Sequence, residues 1–446
     1  MKLVFRPWLA WLTLGVVIGV AGAELLPKVE PEEMLAKLPA QELVVQQPTP
    51  EPPTPTPEPY IPCKDDPSIV SSPPAGPEGE PANYLHTCYG LIYDSKGRQV
   101  QITGVSWFGM EAGGYAPGGL AFRNWKSILD QVAAMGFNTI RLPFTNEAFR
   151  PYAQPKGINY ELNSELLGLT PLEIMDRVVA GARERGLKVI LDRHRPESKG
   201  QSSFWYTPAV SEEQWTADWR MVARRYRGND TVIGLDLHNE PWGQAAWGTG
   251  DPATDWRLAV EKAGNAVLEE NPYLLVLVEG IEHYDGAYWW GGNLTGVRDS
   301  QVNLKIPNRV VYSPHDFGPG VYPQAWFSDP TFPTNMESIW DMRWGFIKKQ
   351  GVAPIVVGEF GGRSVGVDTE GTYQRTIMEY MERNDMGYLY WALNPDSPDS
   401  GGLLTDDWAA PLIDKLGLLS RYQAPLMGKV MMRTPPGSPT AQAASN

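Results

Sequence analysis

The stretch "VIGLDLHNEPWG" (residues 232–243) decides the fold. Its first half is an apolar run of the kind used by a strand covered on both faces. Its second half sets His238, Asn239 and Glu240 side by side, and Pro241 then ends the run. A buried strand that finishes in polar and ionisable groups is presenting them to something. Parallel strands that alternate with helices do this at their C-terminal ends, so the neighbouring segments decide the architecture.

Upstream of it, "QITGVSWFG" (101–109), "NTIRLPF" (138–144) and "LKVILDRH" (187–194) read as strands. Downstream, "YLLVLVEG" (273–280), "RVVYSPHDF" (309–317), "PIVVGEF" (354–360) and "GYLYWAL" (387–393) do the same. Helical spacing fills the gaps. The segment 122–136 stops at Gly136, and 170–186 starts at Thr170 as N-cap and stops at Gly186. Further helices are expected over 211–226, 254–271, 337–349, 373–383 and 411–419. Eight short strands alternating with helices predict a (β/α)8 TIM barrel. An open doubly wound sheet lacks support, because no Gly-rich phosphate turn follows the first strand.

The strand ends, taken in order, carry Trp107, Arg141, His194, Asn239 with Glu240, Glu279, His315, Glu359 and Trp391. With His238 beside Asn239, three of the five histidines (His194, His238 and His315) fall there, which fold stability alone does not require. Glu240 and Glu359 come from well-separated strands and can face each other across a barrel mouth. Two such carboxylates are what glycoside hydrolysis needs, one as proton donor and one as nucleophile or base.

Composition agrees with an uncharged polymer as substrate. A net charge of -14 argues against nucleic acid or an anionic membrane surface as partner. Seventeen Trp and nineteen Tyr are many, and flat rings stack on sugar faces as well as filling cores. The domain plan is an export segment or membrane anchor at 1–23, a Pro-rich linker and N-terminal extension at 24–80, the catalytic barrel at 81–428 and a disordered tail at 429–446. Lys2 and Arg6 precede an apolar run that ends in Ala21-Gly22-Ala23, as a cleavable export signal does. The linker "PTPEPPTPTPEP" (48–59) would tether the body if that segment stayed in the membrane. Either fate puts the body outside the cytoplasm, as a secreted or membrane-anchored protein. There a bond between the two cysteines, Cys63 and Cys88, is the expected use, pinning the linker to the base of the barrel. A monomer is expected.

The motifs "TIRLPF", "LDRHRP", "DLHNEP", "YSPHDF", "VVGEFG" and "YWALNPDS" resemble the motif set of glycoside hydrolase family 5, and most closely its bacterial endo-β-1,4-glucanases. The resemblance spans about residues 104–411 in the family's order. It implies a retaining endoglucanase without cofactor, with Glu240 as acid/base and Glu359 as nucleophile. It implies that Asn239 binds the sugar 2-hydroxyl and that Arg141 pairs with Glu359 and keeps it ionised. His194 and His315 would line the subsite before the scissile bond, with Trp391 as the sugar platform. Trp205, Trp290 and Tyr322 are candidates for the outer groove, with core packing as the competing use. One position departs from the family: Phe317 stands where a tyrosine usually addresses the nucleophile. A mannanase, a mixed-linkage glucanase and a sugar-binding protein with weakened chemistry stay open as alternatives. No metal is expected; the acidic turn 394–407 lacks the ligand order of an EF-hand.

Overall fold

The computed structural model describes residues 83–428. The export segment, the linker with Cys63 and the tail lie outside the described residues. Three short strands open the chain, β1 (Leu85–Cys88), β2 (Leu91–Asp94) and β3 (Gln99–Val100), and form a small antiparallel sheet. The barrel follows with β4 (Thr103–Ser106), β5 (Thr139–Thr145), β6 (Lys188–Arg195), β7 (Val232–Asp236) and β8 (Leu275–Val278). A hairpin of β9 (Ile281–Tyr284) and β10 (Ala287–Asn293) interrupts the alternation. The barrel resumes with β11 (Val310–Tyr312), β12 (Val356–Phe360) and β13 (Gly387–Tyr390).

The eight barrel strands lie parallel in the order β11-β8-β7-β6-β5-β4-β13-β12. Isolated parallel bridges, Tyr312 to Ile355 and His315 to Glu359, join the two ends and close the barrel. All eight strands fall where the apolar runs predict them. The helices form the outer layer, and local chemistry sets their ends. Thr170 caps the helix Pro171–Glu184 through a reciprocal bond with Glu173, and Gly186 leaves it at φ 72°. Its inner face buries Ile174, Met175, Val178, Val179 and Ala182, about 1.5–3 kcal/mol for each large side chain.

The small sheet plugs the N-terminal end of the barrel. Leu85 and Ile92 pack on the interior residues Ile190, Ile233, Leu275, Val311 and Leu389. The Thr87 amide donates to the Asn308 carbonyl, just before β11. Cys88 is buried at the end of β1 and is not a free thiol. With one end plugged, the opposite end is the open mouth, where the strand ends deliver their side chains. Among the described residues no helix is long and apolar enough to cross a membrane.

Candidate active site

Where the strands leave the ladder their backbone groups lose strand partners, and buried carbonyls must find others. Indole N–H groups supply them. Trp215 and Trp219 both donate to the Leu237 carbonyl, at 3.0 and 3.1 Å, just before His238-Asn239-Glu240. Trp256 donates to the Glu279 carbonyl at 3.0 Å and Trp289 to the His315 carbonyl at 3.1 Å. Much of the Trp excess therefore serves the frame of the site. Trp205 belongs with these rings and not with the groove. It is fully buried against Trp215 and Trp256, and its carbonyl accepts from Arg193 at 3.0 Å.

Arg141 points from β5 into the barrel and is fully buried. One Nη contacts Glu359. The other lies 3.1 Å from both Asp192 and Glu279 and donates to Asn239 Oδ1 at 3.0 Å; Nε meets Asp236 at 3.1 Å. Burial opposes the guanidinium charge, but these four carboxylates hold it far above its usual range.

Glu240 has left-handed backbone, φ 50°, which is uncommon for a non-glycine residue. Its amide donates to Glu279 Oε2 at 2.7 Å, which fixes the strained turn. Its carboxylate is addressed from three sides. His315 Nδ1 is 2.9 Å from Oε1, while Trp290 Nε1 and Gln201 Nε2 donate to Oε2 at 2.7 and 3.1 Å. Close approach needs Gly291, where a Cβ would stand 2.9 Å from Glu240 Cγ and where φ is 65°.

His315 also lies 3.3 Å from Glu279 and 3.7 Å from Glu359 Oε2, and its backbone bridges Glu359. One oxygen of Glu240 and one of Glu359 stand within 4.8 Å of each other. Burial pushes the Glu359 carboxyl up to about 7 against the pull of His315 and Arg141. Burial likewise lifts Glu279 to about 8 and Asp236 to about 6. Burial acts on Glu240 too, yet the hydrogen bond and charge of His315, with the Trp290 indole, bring it down to about 2. His315 itself is held well above its ordinary value, because Glu279, Glu359 and Glu240 outweigh its burial. The contact between Glu240 and His315 couples the titration of the two groups.

The structure gathers Arg141, His194, Asn239, Glu240, His315, Glu359 and Trp391 into one cluster. Arg141 meets Glu359, as expected, while burial acts against the charge on that carboxyl. His315 is fully buried beside both carboxylates. His194, tied to Asp192 at 2.7 Å, stacks in near-parallel with Trp391, which in turn stacks with Phe108. The Trp391–Ala392 peptide is cis. Trp290 stands closer in than an outer-groove ring, directly on Glu240. Tyr322 is exposed in the wall of a cavity of about 250 Å³, with Tyr288, Trp290, Phe317 and Trp326.

Sequence reasoning missed Asp192, Asp236 and Gln201. A lone Asp inside each apolar run, in "VILDRH" and "IGLDLH", was the available signal, since a buried carboxylate needs a partner. In the turn 394–407 the Lys415 ammonium donates to the Ser400 and Gly402 carbonyls at 2.6 and 2.7 Å.

The family profile for cellulase (glycosyl hydrolase family 5) matches residues 93–397. The chain is 50% identical over 349 residues to an endoglucanase of Paenibacillus polymyxa, covering 77% of this chain and 88% of the relative. It is 42% identical over 335 residues to the major extracellular endoglucanase of Xanthomonas campestris pv. campestris, covering 74% and 69%. Among solved structures, a variant of the endocellulase from Pyrococcus horikoshii in complex with cellotetraose superposes with a TM-score of 0.73. Identity there is 38%, and 78% of this chain and 99% of that chain are covered.

Proposed function

The chain belongs to glycoside hydrolase family 5, and from that premise we propose a retaining endo-β-1,4-glucanase with Glu240 as acid/base and Glu359 as nucleophile. The observation that carries this is the pair of carboxylate oxygens within 4.8 Å. Retaining glycosidases hold their carboxyl groups ~5–5.5 Å apart, whereas inverting ones leave ~6.5–9.5 Å for a water.

In the first step Glu359 attacks the anomeric carbon while Glu240 gives its proton to the leaving oxygen. In the second, Glu240 takes a proton from water, which displaces Glu359 from the sugar. Arg141 keeps the nucleophile in place, and His315 links the two carboxylates. Asn239 has a buried Nδ2 without a partner among the described residues, so it has a donor ready for the sugar 2-hydroxyl. Trp391 serves as the platform beside His194. Export of the chain is part of this reading; the Xanthomonas relative is described as extracellular.

Reducing-sugar release from carboxymethylcellulose, mannan and mixed-linkage glucan tests it. Carboxymethylcellulose should be cleaved fastest. Preference for mannan or mixed-linkage glucan would move the substrate to those polymers, and silence on all three would leave a binding protein.

Phe317 supplies a pH test. Its ring faces the aromatic cavity and offers no donor. If Phe317→Tyr adds a hydroxyl that donates to Glu359, it stabilises the ionised form and lowers that pKa. Catalysis needs Glu359 ionised, so the acidic limb of kcat/KM should move to lower pH. An unmoved limb would assign the ring to the cavity alone.

A further inference from the structure

Gln201 is an exposed residue on the partly buried loop between β6 and the helix Glu212–Arg225, and its amide reaches Glu240 Oε2 at 3.1 Å. It is the third donor on a buried carboxylate already held by His315 and Trp290. Three donors suit a carboxylate. They do not suit a carboxylic acid, whose own O–H needs an acceptor. For Glu240 to carry a proton toward a leaving oxygen, one donor must withdraw.

Two of the three are fixed. His315 is fully buried and bridged to Glu359. Trp290 is carried on β10 and stacks on Trp242 at 5.7 Å. Gln201 alone is an exposed side chain on a loop.

We propose that Gln201 is a releasable positioning residue: its amide holds Glu240 as the carboxylate in the empty cleft, and an incoming sugar draws the amide away so that Glu240 can hold a proton. That proton reaches Glu240 from solvent or from His315 when the sugar binds, and the second step returns one from the attacking water to the same carboxylate, so each cycle balances. The inference rests on the acid/base role proposed for Glu240. Other groups facing Glu240 are His315 and Glu279 from the ends of β11 and β8, Glu359 and Arg141 from β12 and β5, and His194 from β6. Tyr288 on β10 and Asp399 beyond β13 complete the set. None of these lies on the Gln201 loop, so their influence is common to parent and variant.

The test compares pH profiles of the parent, Gln201→Ala and Gln201→Asn, whose shorter amide falls short of Oε2. The ratio kcat/KM reports the free enzyme and kcat the complex. Losing a donor to the ionised form raises the proton affinity of the Glu240–His315 pair. The basic limb of kcat/KM should rise by roughly half a unit to one unit in both variants, while that of kcat stays in place. A limb that moves in neither profile overturns the contact, and an equal move in both overturns the release. A carbon-13 NMR titration of the glutamate carboxyls in substrate-free protein needs no turnover: Glu240 should titrate higher in both variants, and an unchanged value refutes the proposal. Failure of the parent on carboxymethylcellulose would count against the glucanase reading separately.

Discussion

Glu359→Ala should lose glucan hydrolysis on the order of 10⁴-fold or more, the scale on which losing a covalent nucleophile is felt. It should do so in a folded protein. Arg141 keeps Asp192, Asp236 and Glu279 as partners, so no buried charge is left bare, and the site loses one of its crowded negative charges. The melting temperature should stay within a few degrees of the parent's. Azide is small enough for the space left at the end of β12. It should restore part of the turnover and yield a glycosyl azide of inverted configuration, because only one displacement then occurs. An alanine variant that hydrolyses carboxymethylcellulose at near the parent rate would remove Glu359 from the role.

Glu240→Gln should show a loss that depends on the leaving group. Poor leaving groups need the proton and should lose about 10²–10⁴-fold, the usual contribution of general acid catalysis. A dinitrophenyl cellobioside needs little acid help, so it should still form the intermediate, which then breaks down slowly for want of a base. The geometry says how the new amide sits. Its oxygen must face the Trp290 indole and its NH₂ must face His315 Nδ1, because the reverse sets donor against donor. That orientation leaves Nδ1 unprotonated as an acceptor. Equal losses on good and poor leaving groups, measured by stopped-flow release of dinitrophenol, would contradict the acid role.

The barrel was legible because parallel strands covered on both faces are mostly apolar, and ionisable residues stand out inside the runs or at their ends. That same contrast exposes Arg141, Glu240, His315 and Glu359. What stayed hidden depends on side-chain direction. Trp205 and Trp290 stand in equally aromatic stretches, "SFWY" and "AYWW", yet one is locked between helix indoles and the other donates to the acid. Spacing does not separate them, because the hairpin β9–β10 that turns Trp290 inward has no strand period of its own in the apolar pattern. The three-stranded plug was missed because its strands are not apolar runs: β2 buries only alternate residues and β3 buries none. Gln201 gave no signal at all, since a single amide in a polar loop looks like any other.

The closure of the barrel has a consequence for how the protein ages under heat. Seven strand pairs are zipped by ladders, but the eighth seam has only isolated bridges, and one of them is His315 to Glu359. Hydrogen exchange is fastest where pairing is sparse. The amides of Asp316 and Gly358, which stitch this seam to the Glu359 and Pro314 carbonyls, should be the first barrel amides to exchange. Each such breath separates the nucleophile from the histidine it shares with the acid. Thermal inactivation should thus begin as a loss of chemistry at one seam while the other seven still hold the molecule round.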